Sequence, residues 1–425
     1  MSGQVINEVY TGAGSTRRGT PPGGGGGGNL LPFLGPAVVA SIAYIDPGNI
    51  AVNIQAGAGH GYELLWVVAL ANLVAMLFQA LSAKLGIATG QNLAELCREH
   101  FPRPLVYFMW ITGEVGAIAT DLAEFLGAAI GFSLIFHWSL LSGMVVTAVV
   151  TYGILSLHRG SFLGLEIFIG LAVTVIGGCY LLELFLAPPV WGQVALHSVW
   201  PELHGADAEL LAVGIIGATV MPHAIYLHSG LTQRRVKLQS DDERAAAIRS
   251  SNRKVVMTLA AAGLINMAMV CMAARVFHEG HNDIASIDTA YRTLVPVLGQ
   301  AAGVIFLVAL MASGISSSVV GTLAGQVIMQ GFVRFTIPMG VRRLVTMLPA
   351  IAIVALGVDS THALVLSQVV LSLVLPVPVL ALIVLSRRRQ LMRGFTPSKL
   401  TEVTAVAAAL LIVGLNLALV IESVS

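Results

Sequence analysis

Two short stretches, Asp46-Pro47-Gly48-Asn49 and Met221-Pro222-His223, place a side chain able to bind a ligand directly before a proline. Proline lacks a backbone donor and clashes with the preceding turn, and Gly48 adds conformational freedom, so a helix through either stretch must open. The groups that would meet at such openings are the Asp46 carboxylate, the Asn49 side-chain carbonyl, the Met221 thioether and freed backbone carbonyls such as that of Ala218. Oxygens alone would suit Ca²⁺, Mg²⁺ or Na⁺. A thioether adds little for those ions and favours softer ones such as Mn²⁺, Fe²⁺, Co²⁺ or Cd²⁺. Met221 therefore carries the selectivity reasoning. The competing reading, a gap-filling core methionine, fits most of the fourteen methionines in the chain.

A second set of chemistry-bearing residues is Glu114, Asp121 and Glu124. On a helix Asp121 lies about 20° from Glu114, and Glu124 about 60° beyond it, so the three share a face. Three carboxylates on one buried face point to a proton relay, the alternative being a polar stripe satisfied by neighbouring helices. His223, one residue past the second break, changes charge in the useful pH range and is read as a proton or gating residue. His228 sits roughly 140° further round, so the two histidines are not expected to share a metal.

The elements that must position these residues are membrane spans. The chain has 425 residues, 56% hydrophobic and 11% charged, with mean hydropathy +0.84, whereas soluble domains run at about a quarter charged. Apolar windows of spanning length fall at roughly 31–56, 63–85, 105–131, 138–157, 163–186, 208–232, 255–277, 300–330, 341–357, 362–386 and 400–422, giving about eleven helices in a lipid bilayer. With the N-terminus cytoplasmic, nearly all Lys and Arg fall on inside segments and only Arg275 and Arg292 outside, which also places the C-terminus outside. Arg342 and Arg343 open the ninth span as ordinary inside anchors on this basis. Residues 1–29, rich in Gly, Ser, Thr and Pro, are expected to form a flexible cytoplasmic tail without a removable signal peptide, and 30–425 a single transmembrane domain.

A net charge of +1 and no basic face argue against nucleic acid as a partner. Cys97, Cys179 and Cys271 show no CxxC spacing and are read as packing residues. The stretch from Arg234 to Lys254 is read as a solvated connector. No nucleophile and base pair stands apart from the metal constellation, so an enzyme is not expected.

The breaks fall near the middle of spans one and six, the first members of two five-helix sets. Interrupted segments in corresponding positions mark an inverted-repeat transporter with its site at the repeat interface, here about 30–187 and 207–390 plus an extra helix at about 400–422. A simple kink is the alternative for either proline alone.

At these residues the chain resembles the Nramp family, proton-coupled divalent-metal transporters that include bacterial MntH-type manganese importers. The resemblance runs through DPGN at Asp46 to Asn49, AxxMPH at Ala218 to His223, ATDLAEFLG at Ala119 to Gly127, SGISSSVVGTLAGQ at Ser313 to Gln326, RRLVTMLPA at Arg342 to Ala350 and SQVVLS at Ser367 to Ser372. It implies an all-α LeuT-type 5+5 inverted repeat. It also implies metal binding by Asp46, Asn49, Met221 and the Ala218 carbonyl, joined in some conformations by Gln368. Asp121 and Glu124 are implied as proton carriers, with Arg342 and Arg343 accepting the path toward the cytoplasm. Many members have Gln where Ile315 follows Ser313-Gly314, which leaves open what polar group the eighth span lends the site.

The expectation is a proton-coupled importer of Mn²⁺ or Fe²⁺ in a bacterial plasma membrane, with no bound cofactor, in which the arriving metal ionises Asp46 and its proton leaves along the Asp121 and Glu124 face. A sodium-coupled amino-acid symporter of the same general fold is the alternative, its substrate carboxylate held by freed helix N-termini. A channel is a third.

Overall fold

The computed structural model describes residues 34–157, 162–233, 238, 240–278, 286–335 and 337–424. Among these are seventeen α-helices and no strand. The expected tail lies outside the described residues.

The first span opens where the sequence demands. Helix α1 (Leu34–Ile42) runs into a short 3-10 turn (Ala43–Ile45), Asp46 is extended, and α2 (Pro47–His60) leaves at 46° to the first half. Asp46 is the N-cap of α2 and Pro47 its first residue, where a missing N–H costs nothing. Helices α3 (Leu65–Thr89), α4 (Leu93–His100), α5 (Arg103–Phe136), α6 (Leu140–Leu157), α7 (Phe162–Leu186) and α8 (Trp191–His197) follow.

The second break separates α9 (Ala206–Thr219) from α10 (Pro222–Thr232), with Val220 and Met221 out of helical conformation between them. Next come α11 (Asp241–Val276), α12 (Ile287–Leu298), α13 (Gln300–Val333), α14 (Met339–Ala355), α15 (Ser360–Val374), α16 (Pro376–Ser386) and α17 (Lys399–Val424).

Every one of the eleven expected windows holds a helix. Eight described spans meet the length and apolarity needed to cross a bilayer, or nine with the bent first pair; α6 and α14 are shorter. One expectation is corrected: residues 241–254, read as connector, are the first turns of α11. Ser240 and Glu243 form a capping box there, which starts the helix well before its apolar run begins. Residues 234–237 and 239 lie outside the described set.

The two broken spans are innermost. In the sixth span 94% of the apolar window is buried by protein, against 28% in α17, so opened backbone is kept from lipid. Around them stand α3, α5, α11, α13 and α15, with the α5–α13 pairing the most extensive. Outward-facing Leu400, Val403 and Leu410 of α17 are exposed, as a lipid-facing surface requires. The three cysteines are buried and unpaired.

Candidate metal site and its acidic flank

Each proline strips a carbonyl four residues upstream of its helical partner. For Pro222 that carbonyl is Ala218 O, and it accepts instead from Asn49 Nδ2 of the other broken span at 3.0 Å. At the first break Tyr44 O accepts from Asn266 Nδ2 of α11 at 2.8 Å and Ile45 O from Ser313 Oγ of α13 at 2.5 Å. The eighth span therefore does lend the site a polar group, Ser313, where Ile315 is apolar.

The Asp46 carboxylate divides its work. Oδ1 accepts from Asn49 N at 2.8 Å and from Asn49 Nδ2 at 2.7 Å, closing the first turn of α2. Oδ2 is buried with no hydrogen-bond partner among the described residues, as are Asn49 Oδ1 and Gln368 Oε1. Gln368 reaches the break because Gly48 has no side chain: a Cβ there would overlap the Gln368 amide, whose Nε2 donates to Ser367 Oγ at 2.9 Å. Met221 is fully buried at the start of α10. The site thus holds one carboxylate, two amide oxygens, a freed carbonyl and a thioether. No trio of His, Cys, Asp or Glu able to hold a metal occurs among the described residues.

The expected acidic face divides. Asp121 and Glu124 of α5 are buried and meet at Gly321 of α13, where a Cβ would sit 2.5 Å from Glu124 Oε2 and 3.1 Å from Asp121 Oδ1. Both feel the charge of Arg343, and Glu124 also that of Asp46. Glu114 stands apart, partly exposed, in an ion pair with Arg342 at 2.8 Å and accepting from Trp110 Nε1. Arg343 donates to Ser318 O, Ser318 Oγ and Thr322 Oγ1 of α13. Both arginines are buried, so they are more than surface anchors.

Helix α5 joins the acidic flank to the breaks. Pro47 packs on Gly127 and Pro222 on Gly116, three turns apart on one face. Between them Thr120 Oγ1 meets His223 Nδ1 at 3.0 Å. His228 points elsewhere, to Gln79 Oε1 at 2.8 Å, and Gln79 donates to Tyr44 OH at 2.6 Å. The two histidines thus have different hydrogen-bond partners. Ser313, Asn266, Thr120 and Gln79 carry no motif of their own as site residues; only their place as polar residues inside spans marks them in the sequence.

Residues 37–422 match the family model described as natural resistance-associated macrophage protein-like. The chain is 59% identical over 394 residues to the divalent metal cation transporter MntH of Verminephrobacter eiseniae, covering 93% of this chain and 90% of that one. It is 50% identical over 405 residues to the MntH of Deinococcus radiodurans, covering 95% and 92%. A crystal structure of the Eremococcus coleocola manganese transporter, in complex with an aromatic bis-isothiourea substituted compound, superposes with TM-score 0.85 at 32% identity, covering 95% of this chain and 89% of that one. Mhp1, a nucleobase-cation symporter, shares the LeuT-type fold alone, at TM-score 0.60 and 13% identity. The chain belongs to the natural resistance-associated macrophage protein (Nramp) family, whose members are membrane transporters rather than enzymes.

Proposed function

We propose that the protein imports divalent transition metals, Mn²⁺ foremost and Fe²⁺, Co²⁺ or Cd²⁺ by the same ligands, across a bacterial plasma membrane together with protons and with no bound cofactor. The observation that carries this reading is the set of buried acceptors without partners at the breaks: Asp46 Oδ2, Asn49 Oδ1 and Gln368 Oε1. Unpartnered acceptors in a buried site are costly and are stabilised by a cation. Met221 tilts the choice toward softer ions. The same observation speaks against an amino-acid symporter. A substrate carboxylate needs free donors, and at the first break the Asn49 N–H is already taken by Asp46 Oδ1.

Metal arriving at Asp46 favours the ionised carboxylate, so a proton there is displaced toward Glu124, an acidic group that feels the Asp46 charge. Asp121 and Arg343 continue that route, and the Arg342–Glu114 pair stands at its partly exposed end. Rocking of the broken spans against the surrounding helices then exchanges access, with the N-terminus cytoplasmic and the C-terminus outside.

The test is uptake into proteoliposomes with an acidic exterior. Wild type takes up Mn²⁺ and Cd²⁺ saturably with accompanying proton influx, Asp46→Ala abolishes uptake, and Met221→Ala loses discrimination against Ca²⁺ more than it loses Mn²⁺ transport. Uptake that requires Na⁺ and an amino acid sinks the proposal.

A further inference from the structure

We propose that Asn53, Asn266 and Met269 form a second, weaker position for a soft divalent cation, one helical turn along α2 from the Asp46 site, which the ion occupies in transit. The inference rests on the transport reading above and extends it to residues that reading does not use.

Asn49 and Asn53 are four residues apart on α2, so both project from one face with about 6 Å of rise between them. The hydrogen bonding at the two positions follows one pattern. Asn49 Nδ2 bridges two acceptors, Asp46 Oδ1 and Ala218 O, and leaves its own Oδ1 without a partner among the described residues. Asn53 Nδ2 bridges Asn266 Oδ1 at 3.1 Å and Met269 Sδ at 3.6 Å, and its Oδ1 is likewise without a partner there. Asn53 is only 1% exposed, so water in bulk does not satisfy that oxygen.

The acceptors are held in place by the first break itself. Asn266 Nδ2 donates to Tyr44 O, a carbonyl two residues before Asp46, which fixes Asn266 Oδ1 toward Asn53. Met269 lies three residues further along α11, on the same side and fully buried. Rotation of the Asn53 amide presents two amide oxygens and a thioether to one point. That set repeats the donor types of the principal site without its carboxylate. A neutral set binds a dication weakly, which suits a position that must release its ion, and the thioether keeps the preference for softer metals. A purely structural bridge between α2 and α11 would use the same amide pair but would be indifferent to the sulfur and to cations.

The experiment uses the full chain in nanodiscs, with Cd²⁺ titrated calorimetrically. Asp46→Ala silences the principal site, and a weak Cd²⁺ binding step should remain. Adding Met269→Leu, which keeps the volume and removes the sulfur, should weaken that step by about tenfold or more. Adding Asn53→Asp instead should tighten it by about tenfold. Unchanged melting temperatures confirm that each variant folds. Asp46→Ala protein that binds no Cd²⁺, or binds it equally with and without Met269→Leu, overturns the second position while the principal site stands. Wild-type protein that binds no Cd²⁺ overturns both.

Discussion

Gly48 and Gln368 touch across the first break so closely that any Cβ at position 48 would overlap the Gln368 amide. The glycine at the break is therefore also the seat of the Gln368 amide from α15, the ligand proposed above, and the two roles can be separated by substitution. Gly48→Ala retains the Asp46 cap and helical φ for α2 but displaces Gln368. Its metal affinity is expected to fall by about tenfold to a hundredfold, matching Gln368→Ala. Cd²⁺ binding by both variants, and by the double variant, measures this. Additive losses would show that the glycine acts by some other route.

The Asn49 amide gives a different expectation. Its two N–H groups hold Asp46 Oδ1 and Ala218 O, so they satisfy both acceptors when no metal lies between them. Asn49→Asp removes those donors and sets a second carboxylate against the first. Without metal the variant should lose about 1–3 kcal/mol of stability, the cost of buried acceptors left unpaired. With Mn²⁺ it should regain more stability than wild type does, by mass action. Melting temperatures with and without Mn²⁺ read both effects, and equal metal-induced shifts in the two proteins would contradict the bridging role.

Gly321 tests the acidic flank apart from the metal site. Asp121 and Glu124 converge on it, and a methyl group there forces Glu124 aside. Gly321→Ala is expected to slow proton influx while Cd²⁺ binding in nanodiscs stays within about twofold of wild type, because no metal ligand is moved. Simultaneous fluorescence records of proton and metal influx in proteoliposomes provide the measurement. Loss of metal binding in step with proton influx would mean that the flank and the site are one unit.

What the sequence made legible follows the range of the interactions. The breaks are local chemistry: a proline with a capping Asp before it declares itself within four residues, and the spans follow from apolar length. The start of α11 escapes a hydropathy reading because Ser240 and Glu243 form their cap in a charged stretch. Long-range seats were hidden for a different reason. Gln368 lies in an unbroken apolar window and is named only by the family resemblance, and Asn266 in another is not named at all, so only the packing of α15 and of α11 on α2 shows what they meet. Helical spacing alone puts Glu114, Asp121 and Glu124 on one side of α5. Their partition, with Glu114 tied to Arg342 and the other two on Gly321, depends on α13 and α14 and could not be read from α5 alone.

The last helix, outside the inverted repeat, offers a further test. Asn416 of α17 donates through Nδ2 to Ser372 O at 2.7 Å and accepts from Ser372 Oγ at 2.8 Å, both buried. Ser372 is one turn beyond Gln368 on α15, and Gly217 of α9 packs against the backbone at both residues. Hydrogen bonds between membrane helices average about 0.6 kcal/mol and reach about 1.7. With two such bonds lost, Asn416→Leu should cost about 1 kcal/mol and at most about 3.5 kcal/mol, a modest fall in melting temperature. Its effect on uptake should be larger than that loss implies, because α15 is freed at the turn that presents Gln368 to the metal. Combining Asn416→Leu with Gln368→Ala distinguishes the two contributions: if α17 acts by holding Gln368, Asn416→Leu adds nothing to the Cd²⁺ affinity loss of Gln368→Ala, whereas independent losses would leave α17 as a packing helix only.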